Sequence, residues 1–190
     1  MAINIVLTGP PSAGKTTTFE DLKKKIKNIN FCKEISREII KESLKTGSDV
    51  LPWKNAQEFD RRVVCSRNKD YLNQKNLLET RQGLKIKVYD RSPIDTYAYS
   101  KKFECIEEST VEICKSLNYD LVFFFPFEKG IYTQDEERKE SIQLAIDLEK
   151  HLMESYIEFG NELIIVNFDT IEKRSDFIIQ EIEGRLNLEL

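Results

Sequence analysis

Residues 9–16 read Gly9-Pro10-Pro11-Ser12-Ala13-Gly14-Lys15-Thr16, spelling GxxxxGK[ST], and follow directly on the apolar run Ile3–Leu7. Few folds accommodate such a stretch. Its glycines let the backbone curl so that successive N–H groups turn inward. Beyond it, Phe19, Leu22 and Ile26 recur at helical spacing. A strand, a glycine-bent turn and a helix opening near Gly14 aim backbone amides and a positive helix end at one point, which suits an anion. The pattern predicts a phosphate-binding loop in which Gly9, Pro11, Ser12, Ala13, Gly14, Lys15, Thr16 and Thr17 surround the phosphates of a nucleoside triphosphate. Lys15 would reach the β and γ phosphates, and the Thr16 hydroxyl would ligate Mg²⁺.

Four further short apolar runs, 28–34, 84–89, 121–125 and 163–166, alternate with helical segments such as that carrying Phe59, Val63 and Tyr71. Strands alternating with helices predict a parallel sheet covered on both faces. The chain has 190 residues, no internal repeat and no Pro/Gly/Ser linker, so one domain over 1–190 is expected. No apolar run approaches the roughly 20 residues that span a bilayer. No basic segment precedes the first run as it would in a signal peptide. Cys32, Cys65, Cys105 and Cys114 are scattered, without a CxxC pair and far from the only histidine, His151. Reduced thiols in a cytoplasmic protein are expected, not a zinc site. A net charge of −4 argues against a nucleic-acid partner, although Lys and Arg are numerous enough to segregate to one face.

The third run ends in Asp90-Arg91-Ser92-Pro93-Ile94-Asp95. An acid at the C-terminal end of a parallel strand lies on the edge where such sheets bind ligands. Asp90 is therefore expected to share Mg²⁺ with Thr16, and Arg91 to point its guanidinium into the same cleft. Ser92-Pro93-x-Asp95 also reads as a helix start with Ser92 as its cap, so Asp95 serves the cap, the substrate or both.

GPPSAGKTT, the E-x-x-R of Glu34 and Arg37, and YDRSPIDTYAY together resemble P-loop small-molecule kinases of the ribosylnicotinamide kinase (NadR-type) family, whose members are often described only as AAA-type ATP-binding domains. Asp90-Arg91-Ser92 is also similar to the Glu-Arg-Ser of deoxynucleoside kinases. The resemblance implies a three-layer α/β P-loop NTPase fold, with a five-stranded parallel sheet in the order 2-3-1-4-5 and helices on both faces. It implies transfer of the γ-phosphoryl from ATP, with Mg²⁺, to a hydroxyl of a nucleoside-like small molecule. Glu34 matches the carboxylate that accepts the acceptor's proton, while a local ion pair with Arg37 or Lys33 is the plainer alternative. Whether Glu34 or Asp90 is the base stays open.

Acceptor-binding helices would occupy the insertion at about 41–83, with Glu34, Arg37, Gln57 and Asp95 contacting the acceptor and Gln57 reading a base edge. Trp53 would stack on a flat ring or, as is commoner for a lone Trp, join the core, while Tyr97 and Tyr99 are expected to pack helix against sheet. A lid at about 126–140 would bring Arg138 to the transferring group. Asp135-Glu136-Glu137-Arg138 lacks the glycine of the family's Asp-Gly-x-Arg, and Arg138 could equally pair with neighbouring glutamates. Asn167–Thr170 would lie beside adenine or cap the last helix.

Two other readings stay open: a regulatory ATPase or nucleotide switch, and a polynucleotide-end kinase with a basic channel. Asn68-Lys69-Asp70 lacks NKxD spacing and lies in a helical stretch, which favours ATP over GTP. Monomer and homo-oligomer are both compatible with the sequence.

Overall fold

Alternation along β1 (Ile3–Thr8) sets the layering: Ile5 and Leu7 join one core and Val6 the opposite one. The split recurs in β3 (Ile86–Asp90), with Ile86 and Val88 against Tyr89, and in β4 (Leu121–Phe124), with Leu121 and Phe123 against Val122. Strands buried on both faces need helices on both. On the first face, α1 (Lys15–Lys25) and α7 (Ile171–Leu186) pack through Phe19, Leu22, Ile178 and Ile182. On the second, α4 (Pro93–Lys102), α5 (Glu108–Ser116) and α6 (Ile142–Glu158) pack through Ile94, Tyr97, Cys114 and Tyr156. With β2 (Asn30–Cys32) and β5 (Leu163–Ile165) at the edges, the parallel sheet runs β2-β3-β1-β4-β5. This is the three-layer α/β arrangement and strand order that the resemblance implies. The computed structural model describes residues 2–128, 142–188 and 190; Arg138 and most of the expected lid lie outside these.

All five expected runs form strands, and the edge strand β2 is the most shortened. Asn28 adopts a left-handed φ of 61°, which delays the strand's start. At the other end Glu34 already belongs to the next element, its Oε1 accepting from the Ser36 amide at 2.9 Å. Placing β1 between β3 and β4 gathers the ends of three strands, and so Gly9, Asp90 and Phe125, on one edge.

Between β2 and β3 stand α2 (Ser36–Thr46) and α3 (Ala56–Leu72), which share a small core of Ile39, Ile40, Val50, Leu51, Phe59 and Val63. Trp53 is not in it. The indole is 42% exposed, so of the two placements expected for it the core is excluded. α3 is pinned from below by Lys87 of β3. Its buried ammonium donates to the carbonyls of Asp70, Tyr71 and Asn73, the last turn and exit of the helix. A cation at a helix C-terminus satisfies carbonyls that have no intrahelical partner. Replacing Lys87 with Met is expected to leave those carbonyls unpaired and cost about 2 kcal/mol. Urea unfolding measures this, and an unchanged midpoint would show that α3 does not depend on the lysine.

Candidate active site

The turn after β1 is built on left-handed backbone. Gly9 has φ 141°, and a Cβ there would meet the carbonyl oxygen of Phe125 at 2.2 Å, a backbone atom that cannot swing aside. Gly14 has φ 81° and caps α1 with no side-chain hydrogen bond and no acidic residue in the helix's first turn. The first amides of α1 are thus left for an anion. Lys15 is buried in this loop, its ammonium donating to the Pro10 carbonyl at 2.6 Å. The expected loop residues from Pro11 to Thr17 line one continuous cavity of about 720 Å³.

Thr16 and Asp90 meet as their spacing suggests, the Thr16 hydroxyl donating to Asp90 Oδ2 at 2.8 Å. The other carboxylate oxygen, Oδ1, is buried without a hydrogen-bond partner among the described residues. Burial raises the Asp90 pKa above its usual value, and Lys15 and Arg91 offset this only in part. An orphaned carboxylate oxygen beside a hydroxyl is a hard-oxygen donor set, and it fits Mg²⁺.

Arg91 adopts a left-handed φ of 75°, uncommon outside glycine and often found at functional sites. Its backbone amide donates to Leu7, at 3.0 Å. Its guanidinium reaches Asp95 Oδ1 at 3.0 Å and the Gly9 carbonyl at 3.3 Å, and lies 5.9 Å from the centroid of the Tyr99 ring. Tyr99, expected as helix–sheet packing, instead lines the cavity.

Asp95 accepts from Thr8 and Arg91 on one oxygen, at 2.9 and 3.0 Å, and from the Ser92 amide and Tyr156 on the other, at 2.9 and 2.6 Å. These contacts occupy its acceptor capacity, so it positions Arg91 and the start of α4, and it also lines the cavity.

Glu34 lies where the cleft turns from the phosphate loop toward α3. Arg67 Nη2 is 3.2 Å from its Oε1, and Arg37 Nε is 3.9 Å from its Oε2. Burial pushes its pKa up, but Arg67, Arg91 and Ser36 outweigh that and hold it below the ordinary 4.5. The local pairing with Arg37 is therefore secondary to a buried pair the sequence did not announce. Arg67 also donates to the Ser92 carbonyl at 3.0 Å, Thr96 at 2.7 Å and Ser36 at 3.1 Å.

On α3, Ala56, Asp60, Val63 and Arg67 line the cavity. Gln57, expected to read a base edge, is exposed one position out of phase and does not line it. Trp53 and Phe103 form further wall. At the opposite end Thr170 caps α7, accepting from Lys173 at 3.3 Å, while Arg174 donates to the Ala13 carbonyl at 3.3 Å and lies 6.0 Å from the centroid of the Phe168 ring. Arg67, Asp60 and Arg174 were not singled out from the sequence. The i, i+4, i+7, i+11 stripe from Ala56 to Arg67 was the available signal for the first two.

Glycine-bent loop, edge carboxylate and strand order define a P-loop nucleotide-binding domain. The family model described as an AAA domain matches residues 4–174, and the chain belongs to that family. No curated protein matches it. Among solved structures, NadR protein in complex with NR is similar with a TM-score of 0.75 and 19% identity, over 100% of this chain and 53% of that one. The chain thus spans about half of that relative. Thymidylate kinase from Candida albicans is similar with a TM-score of 0.64 and 18% identity, over 98% of this chain and 93% of that one. At these identities the likeness is one of fold. Among the described residues no helix is long and apolar enough to cross a membrane.

Removing one partner of a buried ion pair leaves the other charge stranded. Arg67→Met is expected to cost about 3 kcal/mol, and Glu34→Gln combined with it less than the sum of the two. Because the folded pKa of Glu34 is depressed, its contribution is complete above its ordinary value of 4.5 and fades as pH falls through the lower folded value. The coupling should therefore vanish in acid. Additive urea midpoints at neutral pH would refute it.

Proposed function

We propose that the chain is a kinase that moves the γ-phosphoryl of ATP to a hydroxyl of a nucleoside-like small molecule. The observation that carries this reading is the continuous cavity, about 720 Å³, lined by the phosphate loop and, beyond it, by aromatic residues and residues of α2 and α3; we read the latter part as a second chamber, for the acceptor. Its volume lies in the range of small-molecule sites. An ATPase acting on water has no use for the second chamber. The Trp53, Tyr99 and Phe103 side chains on its wall suit a flat ring.

Phosphoryl transfer asks a protein for positioning and for charge, with little covalent chemistry of its own. Lys15 and the loop amides hold the phosphate oxygens, and Arg91 faces them across the cleft. Thr16 and Asp90 would hold Mg²⁺, which neutralises phosphate charge when bound. Glu34, at the junction of the two chambers, accepts a hydrogen bond from the acceptor hydroxyl and orients it. As the acceptor oxygen bonds to phosphorus, the bond from the γ-phosphorus to its bridging oxygen breaks, ADP departs and the hydroxyl proton passes to Glu34. With a depressed pKa, Glu34 works more through orientation than through basicity. Arg37 borders the acceptor, the insertion at about 41–83 forms its chamber, and the segment at about 126–140, with Arg138, serves as the lid.

The test is ADP release from Mg-ATP with a panel of nucleosides and ribosides. Release should be slow alone and rise about tenfold or more with the right acceptor, and Lys15→Ala should lower the stimulated rate about 100- to 1,000-fold. A rate indifferent to every acceptor, or to the loss of Lys15, would sink the reading.

A further inference from the structure

Asp60 is a cavity-lining carboxylate that the transfer chemistry does not use. It stands one turn beyond Ala56 on α3, and its Oδ2 accepts from the Ser100 hydroxyl of α4 at 2.8 Å. Oδ1 has no hydrogen-bond or ion-pair partner among the described residues and is not sealed in the interior. The guanidinium that acts on it, Arg67, is committed to Glu34, Ser36, Ser92 and Thr96. From the loop after α4, Glu107 adds a like charge, and the Cys105 thiol shares the same wall. Burial pushes the Asp60 pKa up to about 6, Glu107 adds to that, and Ser100 and Arg67 pull against it. A carboxylate with one oxygen held by the protein and the other open to the cavity is a ready acceptor for a ligand's hydrogen-bond donor.

Helix geometry says which part of a ligand would do so. Asp60 and Arg67 share one face of α3, seven residues and hence about 10 Å apart. Arg67 marks the Glu34 end, where the acceptor hydroxyl belongs. Asp60 marks the far end, where Trp53, Phe59 and Phe103 line the cavity. A riboside with its hydroxyl at Glu34 lays its ring against these aromatics and brings the ring's edge to Asp60. Resting on the kinase reading for this orientation, we infer that Asp60 selects the acceptor by accepting a hydrogen bond from an exocyclic amino or carboxamide N–H carried by the acceptor's ring. A keto oxygen or a carboxylate in the same place would set two acceptors face to face. Sites built to pair with a donor reject ligands that lack it strongly.

Calorimetry with the full chain and a non-hydrolysable ATP analogue tests this on three pairs: cytidine and uridine, adenosine and inosine, ribosylnicotinamide and its carboxylic acid counterpart. The tightest ligand should carry the N–H donor and bind about tenfold or more tighter than its counterpart. Asp60→Asn keeps the shape and can still accept from Ser100, and it should reduce that preference to about threefold or less. Wild type taken from about pH 7.5 to about 5.5 should lose the same preference as the carboxylate takes a proton, while Asp60→Asn should not respond. A preference that survives both changes overturns the assignment, as does failure of all three donor-bearing ribosides to bind. Phosphoryl transfer is scored on the same ligands with Mg-ATP. Selective, Asp60-dependent binding without transfer supports the Asp60 assignment and sinks the kinase reading; transfer whose preference ignores Asp60 does the reverse.

Discussion

Four donors converge on Asp95, and the edge that carries the phosphate loop takes its shape from that convergence. Thr8 closes β1 just before the phosphate loop, Arg91 leaves β3, the Ser92 amide opens α4, and Tyr156 arrives from α6. One carboxylate thus ties two neighbouring strand ends to the helical layer beneath them. A buried polar cluster with every member satisfied is rigid, because moving any donor strands the others in low dielectric. Arg91 can hold its left-handed backbone for this reason: its guanidinium is fixed to Asp95 and to the Gly9 carbonyl, and its amide to Leu7.

The two acids beside this hub respond oppositely to similar burial. Glu34 is drawn down by Arg67 and Arg91, so the protein itself has completed its charge. Asp90 is pushed up, with Lys15 and Arg91 too weak to compensate and one oxygen left without a donor. Burial alone treats both alike; the partner decides. The edge is therefore finished at Glu34 and unfinished at Asp90, beside the phosphate loop, which is the asymmetry expected where a metal-bound nucleotide supplies charge.

Much of the fold was legible because its signals are local. The apolar run Ile3–Leu7, a glycine at each end of the loop and an acid closing the third strand follow from composition and spacing alone. The part of the cavity lined by α3 was less legible because its lining depends on the phase in which that helix docks. Gln57 and Asp60 are both polar and sit within one turn, and the sequence does not say which of them faces inward. Asn55, accepting from the Glu58 amide at 3.2 Å, fixes the helix start, and Lys87 fixes its end from another strand altogether. For Trp53 the sequence left cavity wall and core both open, because spacing does not encode the packing that leaves the indole 42% exposed and lining the cavity. The pairing of Arg67 with Glu34 was not legible, since the two lie 33 residues apart.

On the kinase reading, α3 acts as a ruler. The distance between the hydroxyl to be phosphorylated and the ring edge to be recognised is a property of the acceptor. A protein that measures it on a flexible loop loses binding free energy each time the loop is ordered. Here both marks, Arg67 behind Glu34 and Asp60 beside Ser100, stand on one face of one helix. The helix is held at its far end by the Lys87 ammonium beneath three carbonyls and along its length by α4. Recognition and orientation are then a single rigid constraint, and a ring of the wrong reach or the wrong edge chemistry is penalised at the hydroxyl as well as at the ring. Selectivity of this kind needs no direct contact between the reacting group and the residue that selects.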